Sequence, residues 1–129
     1  RGGREPTRTL DMSQKQAQDS GSLPPAQAVE LGELVAYQDG AIVSRTLAKR
    51  NGGTLTLFAF DAGQALSEHS APFDAIVQIL DGEVELKIGG DEVLARAGQT
   101  VMMPANIPHG VVARGRFKML LMMIREVGG

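Results

Sequence analysis

The segment EVELKIGGDEVLARAG, residues 83–98, constrains this chain more than any other. Val84, Leu86 and Ile88 alternate with Glu83, Glu85 and Lys87. A period of two is that of a strand with one apolar and one wet face. Gly89-Gly90 follows at once, and a tight hairpin turn needs the positive φ that glycine adopts without steric cost. DEVLARAG then returns as the partner strand.

The rest of the chain repeats this grammar. AIVSRTLAK (41–49) and GTLTLFAFD (53–61) flank the turn signal Asn51-Gly52-Gly53, with Leu55, Leu57 and Ala59 alternating against Thr54, Thr56 and Phe58. AIVQIL (75–80) stops at Asp81-Gly82, Thr100–Met103 stops at Pro104, and FKMLLMMIR (117–125) is the last strand. Eight or nine short strands with turns every eight to twelve residues predict an all-β antiparallel sandwich or barrel. One stretch, PAQAVELGELVAYQ (25–38), has helical spacing, and Gly32 limits it to a turn or two. Residues 1–25 are rich in Gly, Ser, Gln and Pro and read as a weakly structured or partly helical N-terminal arm. Met12 would serve as a start, so Arg1–Asp11 is expected to be vector-derived. Residues 26–129 then form a single domain.

The last strand breaks the alternation. Met119, Leu120, Leu121, Met122, Met123 and Ile124 are apolar on both faces, whereas a strand with one wet face alternates. Its outer face must be covered by the same chain or by a second copy. With so little helix available, a homodimer is expected.

Composition removes several function classes. A formal net charge of −2 offers no electrostatic footprint for nucleic acid. Cysteine is absent, which excludes disulfides, thiolate metal sites and cysteine nucleophiles. No apolar run is long enough to span a bilayer and no signal-peptide pattern opens the chain, so a cytoplasmic location and no membrane partner are expected. Gly89-Gly90 is a hairpin turn rather than a phosphate loop, since no helix follows it.

Only two histidines occur, His69 in GQALSEHSAPFDAIVQILDG and His109 in GQTVMMPANIPHG. Their surroundings resemble the two motifs of the cupin superfamily, specifically the small single-domain cupins. In the first motif five residues separate a glycine from a histidine, one residue separates that from a second histidine, and a glutamate and a closing glycine follow. Gly63, His69 and Gly82 keep that spacing, while Ala71 and Ala75 stand where the second histidine and the glutamate are expected. In the second motif Gly98, Pro104 and His109 keep their places, while Asn106 and Ala113 replace a glycine and an asparagine. The resemblance covers about residues 40–125 and implies a double-stranded β-helix, the cupin jelly-roll barrel.

It also implies a divalent metal held by three histidines and a glutamate, of which this sequence keeps His69 and His109. A catalytic transition metal needs roughly three protein ligands with open positions besides. By strand parity the neighbours Glu68 and Asp74 point away from the barrel, so the metal motif is degenerate. No cofactor is therefore certain, and at most a weakly bound divalent transition metal is expected on His69 and His109. The two alanines vacate volume, which points to a small organic ligand in a pocket lined by His69, His109, Phe73 and Gln78. Whether the chain is an enzyme stays open at this point. The alternatives are a metal-dependent oxygenase or isomerase acting on a small acid or sugar derivative, and a dimeric interaction module with a filled barrel.

Overall fold

The computed structural model describes residues 23–126. The expected arm of residues 1–25 lies outside these as far as residue 22. Nine strands run in chain order: β1 (Ile42–Arg50), β2 (Gly53–Phe60), β3 (Ala65–His69), β4 (Asp74–Asp81), β5 (Glu83–Ile88), β6 (Asp91–Arg96), β7 (Thr100–Met103), β8 (His109–Val112) and β9 (Phe117–Ile124). They form a five-stranded sheet in the order β1-β2-β9-β4-β7 and a four-stranded sheet in the order β3-β8-β5-β6. All the strand pairings among the described residues are antiparallel.

The expected hairpin is β5–β6, in register from Glu83↔Arg96 to Ile88↔Asp91. Val84, Leu86, Ala95 and the half-buried Val93 face the interior from this sheet. From the other sheet come Phe58 and Phe60 on β2, Ala75, Val77 and Ile79 on β4, and Phe117 and Met119 on β9. Phe60 and Phe117 stack with ring centroids 4.7 Å apart. This layer between the two sheets is the main core.

A second core lies outside the barrel. Leu57, Ala59 and Leu120 point to the outer face of the five-stranded sheet and are buried there with Leu47 and Val35. The cover comes from the segment before β1. Among the described residues its only helical element is the 3-10 turn Leu31–Glu33, so the turn or two expected over residues 25–38 is a single turn. Side chains hold it down instead of helical periodicity. Lys118 Nζ donates to the Gly32 carbonyl at 2.6 Å, and Tyr37 donates to Asp81 while its ring lies beneath Arg116 and Lys118. The hydrogen bond to Asp81 and partial burial push the Tyr37 phenol well above its usual range, burial being the larger cause.

The two-sided apolarity of β9 therefore has an intrachain explanation around Leu120. Farther along the same face, one row crosses all five strands: Ala48, Leu55, Met122, Ile76 and Met102. Met102 at the sheet edge and Ile124 beyond the row are each 52% exposed, so the strap ends before covering this region.

Candidate functional site

One end of the barrel gathers the ends of β1, β3, β7 and β9 and the starts of β2, β4 and β8. Both histidines are there. They stand opposite each other across β3 and β8, as the pair His69↔His109. Strand parity alone does not predict this arrangement. Leu66 pairs with Val111, so a regular ladder would put residue 68 opposite His109; a register shift between Leu66 and His69 inserts one extra residue. Such a bulge reverses the alternation beyond it. Leu66 and His69 thus share the face that carries Val111 and His109, although three positions separate them. Glu68 goes the other way, its Cγ lying over the backbone of Gly110.

The imidazole rings meet edge to face, with centroids 4.7 Å apart and planes inclined at 64°. His109 is buried, at 8% exposure, while His69 is exposed. The Nδ1 atoms lie 3.3 Å from carbonyl oxygens two residues back, Ser67 for His69 and Ile107 for His109. A carbonyl only accepts, so each contact places the proton on Nδ1 and leaves Nε2 with a lone pair in the neutral ring. Burial lowers the pKa of His109, and the neighbouring His69 lowers it further. At neutral pH His109 is an uncharged acceptor.

Two loops deliver this pair and are stitched together. Asn106 donates its backbone N–H to the Ala71 carbonyl at 2.7 Å, and Ala105 donates to Asp74 Oδ1 at 2.9 Å. Asn106 adopts φ +65 where the related motif has glycine, a left-handed conformation that asparagine tolerates better than most residues.

From the opposite sheet, one interior row at this end runs Thr54–Met123–Ala75–Met103. Ala75, the position where a glutamate ligand is expected from the resemblance, is buried between the two methionines and supplies no donor atom. The hydroxyl of Thr54 is buried without a hydrogen-bond partner among the described residues. No group of three or more His, Cys, Asp or Glu side chains among those residues is placed to hold a metal. The residues present do not fit the four-ligand metal shell, and two imidazoles alone leave it half empty.

The other expected pocket residues sit elsewhere. Gln78 has the parity of Ile76 and Leu80 and pairs with Leu120, so it lies on the outer face of the five-stranded sheet. Its assignment to a barrel pocket is corrected on that ground. Phe73 lines a groove at the rim with Asp74, Ala105, Ile124 and Arg125, and neither histidine borders this groove. Arg125 and the groove itself carry no sequence signal, because they depend on loop geometry between distant segments. At the far end of the barrel Arg116 bridges Asp39 at 2.6 Å and Asp61 at 2.7 Å. The guanidinium beside Asp61 and the Gly40 N–H hold that carboxyl below its usual range.

A closed pair of antiparallel sheets with a histidine pair at one end defines a double-stranded β-helix barrel. The cupin domain family model matches residues 56–125, and the chain belongs to that family. It is similar to the crystal structure of a conserved protein of unknown function from Streptococcus pyogenes. That likeness has 36% identity and a TM-score of 0.79, covering 83% of this chain and 94% of that one. A cupin superfamily protein from Desulfitobacterium hafniense is 27% identical with a TM-score of 0.77, covering 81% of this chain and 96% of that one. Among curated proteins, a pyrimidine/purine nucleoside phosphorylase from Geobacter sulfurreducens is 36% identical over 76 residues, covering 57% of this chain and 71% of that protein.

Proposed function

We propose that this barrel binds a small organic molecule through the His69–His109 pair without a resident metal. The observation that carries the reading is the pair of imidazoles facing each other with both Nδ1 atoms engaged by backbone carbonyls. The Nε2 of the buried, neutral His109 is then an acceptor held in place before any ligand arrives, which lowers the ordering cost of binding. The complementary molecule brings hydroxyl or N–H donors.

The Geobacter sulfurreducens relative favours a second reading, phosphorolysis of a nucleoside. Nucleosides offer hydroxyl donors, so one experiment addresses both. Uridine and inosine are titrated calorimetrically against wild type and against His69→Ala/His109→Ala, with and without phosphate, and free base is followed by chromatography. Binding lost in the double variant supports the pair, and base release only with phosphate supports the second reading. Equal binding by wild type and double variant sinks the pair as a ligand site. Added Mn, Fe, Ni or Zn is expected to leave the melting temperature in place, and a large rise would overturn the metal-free reading.

A further inference from the structure

An asparaginyl or aspartyl residue before glycine can cyclise onto the main chain, because the glycine nitrogen has no adjoining Cβ to hinder its attack. Three such junctions stand among the described residues: Asp39-Gly40, Asn51-Gly52 and Asp81-Gly82. The structure locks two of them. Gly40 donates its backbone N–H to Asp61 Oδ2 at 2.6 Å, and Asp39 accepts from Arg116 at 2.6 Å. The Asp81 carboxylate accepts from the Tyr37 hydroxyl, and a carboxylate anion resists nucleophilic attack where an amide does not. Asn51-Gly52 has neither restraint. It forms the two-residue turn between β1 and β2, where Arg50 pairs with Gly53. Asn51 is exposed, and among the described residues neither its side-chain amide nor the Gly52 N–H has a hydrogen-bond partner. The chain's other asparagine, Asn106, precedes the β-branched Ile107, whose N–H is directed to the Pro104 carbonyl at 3.4 Å.

We infer that Asn51 is a site of spontaneous deamidation, and that its isoaspartyl product loosens the end of β9. The Gly52 nitrogen attacks Cγ of the Asn51 amide. An N–Cγ bond forms, the Cγ–Nδ2 bond breaks, and Nδ2 leaves as ammonia with the proton from the Gly52 N–H. Water then opens the succinimide ring at either carbonyl, giving aspartate or isoaspartate with no change of oxidation state. Isoaspartate routes the main chain through Cβ, which adds one backbone atom to a turn without slack. Gly53 cannot absorb the shift. A Cβ there would lie 2.2 Å from the Met123 carbonyl oxygen, so its backbone is pressed against β9. Gly52 therefore moves, and its carbonyl is the acceptor for the Arg125 N–H at 2.9 Å. This bond lies at the end of the barrel that carries the histidine pair.

The inference goes beyond the ligand reading of the imidazole pair and does not depend on it. The full chain is incubated at mildly alkaline pH, digested, and fragmented by electron transfer in a mass spectrometer, which separates aspartate from isoaspartate. An exposed turn opens at little cost, so Asn51 is expected to react within about tenfold of its rate in the excised peptide. Asn106 is expected to stay intact. An Asn51 that survives in the folded chain while the peptide reacts overturns the site. In the purified isoaspartyl form, loss of the bond to Gly52 is expected to speed deuterium exchange of the Arg125 amide about tenfold over fresh protein. Asn51→Asp carries the new charge without the extra backbone atom and should keep the slow rate. Equal Arg125 exchange in the isoaspartyl and fresh forms, or equal acceleration in Asn51→Asp, overturns the loosening of β9.

Discussion

Gly82 and Gly63 occupy equivalent-looking places in the sequence frame, each with a positive φ, +74 and +88. Their surroundings separate two costs that glycine avoids. A Cβ at Gly63 would meet nothing within 4 Å, so Gly63→Ala carries only the left-handed backbone penalty, about 1–2 kcal/mol. A Cβ at Gly82 would lie 2.3 Å from the Arg116 carbonyl oxygen and 3.1 Å from Cα and Cβ of Phe117. The atoms in the way are mostly backbone, at the entry to β9, whose Phe117 stacks on Phe60 in the core. Relief requires moving that strand and disturbing the stacked pair. Adding an overpacking cost of about 1–3 kcal/mol to the backbone penalty gives about 2–5 kcal/mol for Gly82→Ala. For a domain of this size 1 kcal/mol corresponds to a shift of about 4–5 °C. Urea denaturation with the m-value monitored, together with thermal melting, reads both variants. Equal losses for the two, or a loss under 1 kcal/mol at Gly82, would refute the argument that close approach of β9 demands glycine there.

Three other outcomes are expected. His109 has a folded pKa depressed below its unfolded value, so as pH falls the folded state binds fewer protons than the unfolded state does. Stability from this group is full above the unfolded pKa of about 6.5 and is lost as pH drops through the window beneath it; His109→Gln should flatten that dependence in denaturation midpoints. Phe60→Ala removes a fully buried ring from the stacked pair and should cost about 3–5 kcal/mol in urea melts, whereas a loss below 1 kcal/mol would place the main core elsewhere. We expect the exposed end of this face, at Met102 and Ile124, to seat a second copy; light scattering should give a dimer mass at micromolar concentration and a monomer mass for Met102→Glu/Ile124→Glu, and a wild-type monomer would end the idea.

The barrel was legible because its signals are local. Alternation in Val84–Ile88, the Gly89-Gly90 turn and the stop at Pro104 each report on a few adjacent residues. The strap was not legible in this way. Residues 31–37 carry neither a period of two nor a sustained helical period, and their hold on the sheet comes from pairings such as Lys118 with Gly32 that lie far apart in sequence. Leu120 consequently pointed to a partner when its cover was in the same chain. The site was half legible. Spacing located both histidines and the alanines at two expected ligand positions, but it did not reveal that His69 faces its partner only because of a bulge. The four-residue strand His109–Val112 gave no strand signal of its own, since most of its support comes from pairing with β3 and β5. Gln78 entered the expected pocket through its chemistry although its parity argued against it, and parity prevailed.

The bulge in β3 also makes the chemistry of the barrel mouth a property of alignment between strands rather than of composition. Were β3 paired without the extra residue, Glu68 and not His69 would stand opposite His109. Acid–imidazole and imidazole–imidazole pairs are thus encoded one residue apart in SEHS, and the backbone chooses between them. Insertion or loss of a single residue upstream could exchange one for the other while both side chains remain in the sequence. Barrels that share this stretch letter for letter can still present different functional groups to a ligand.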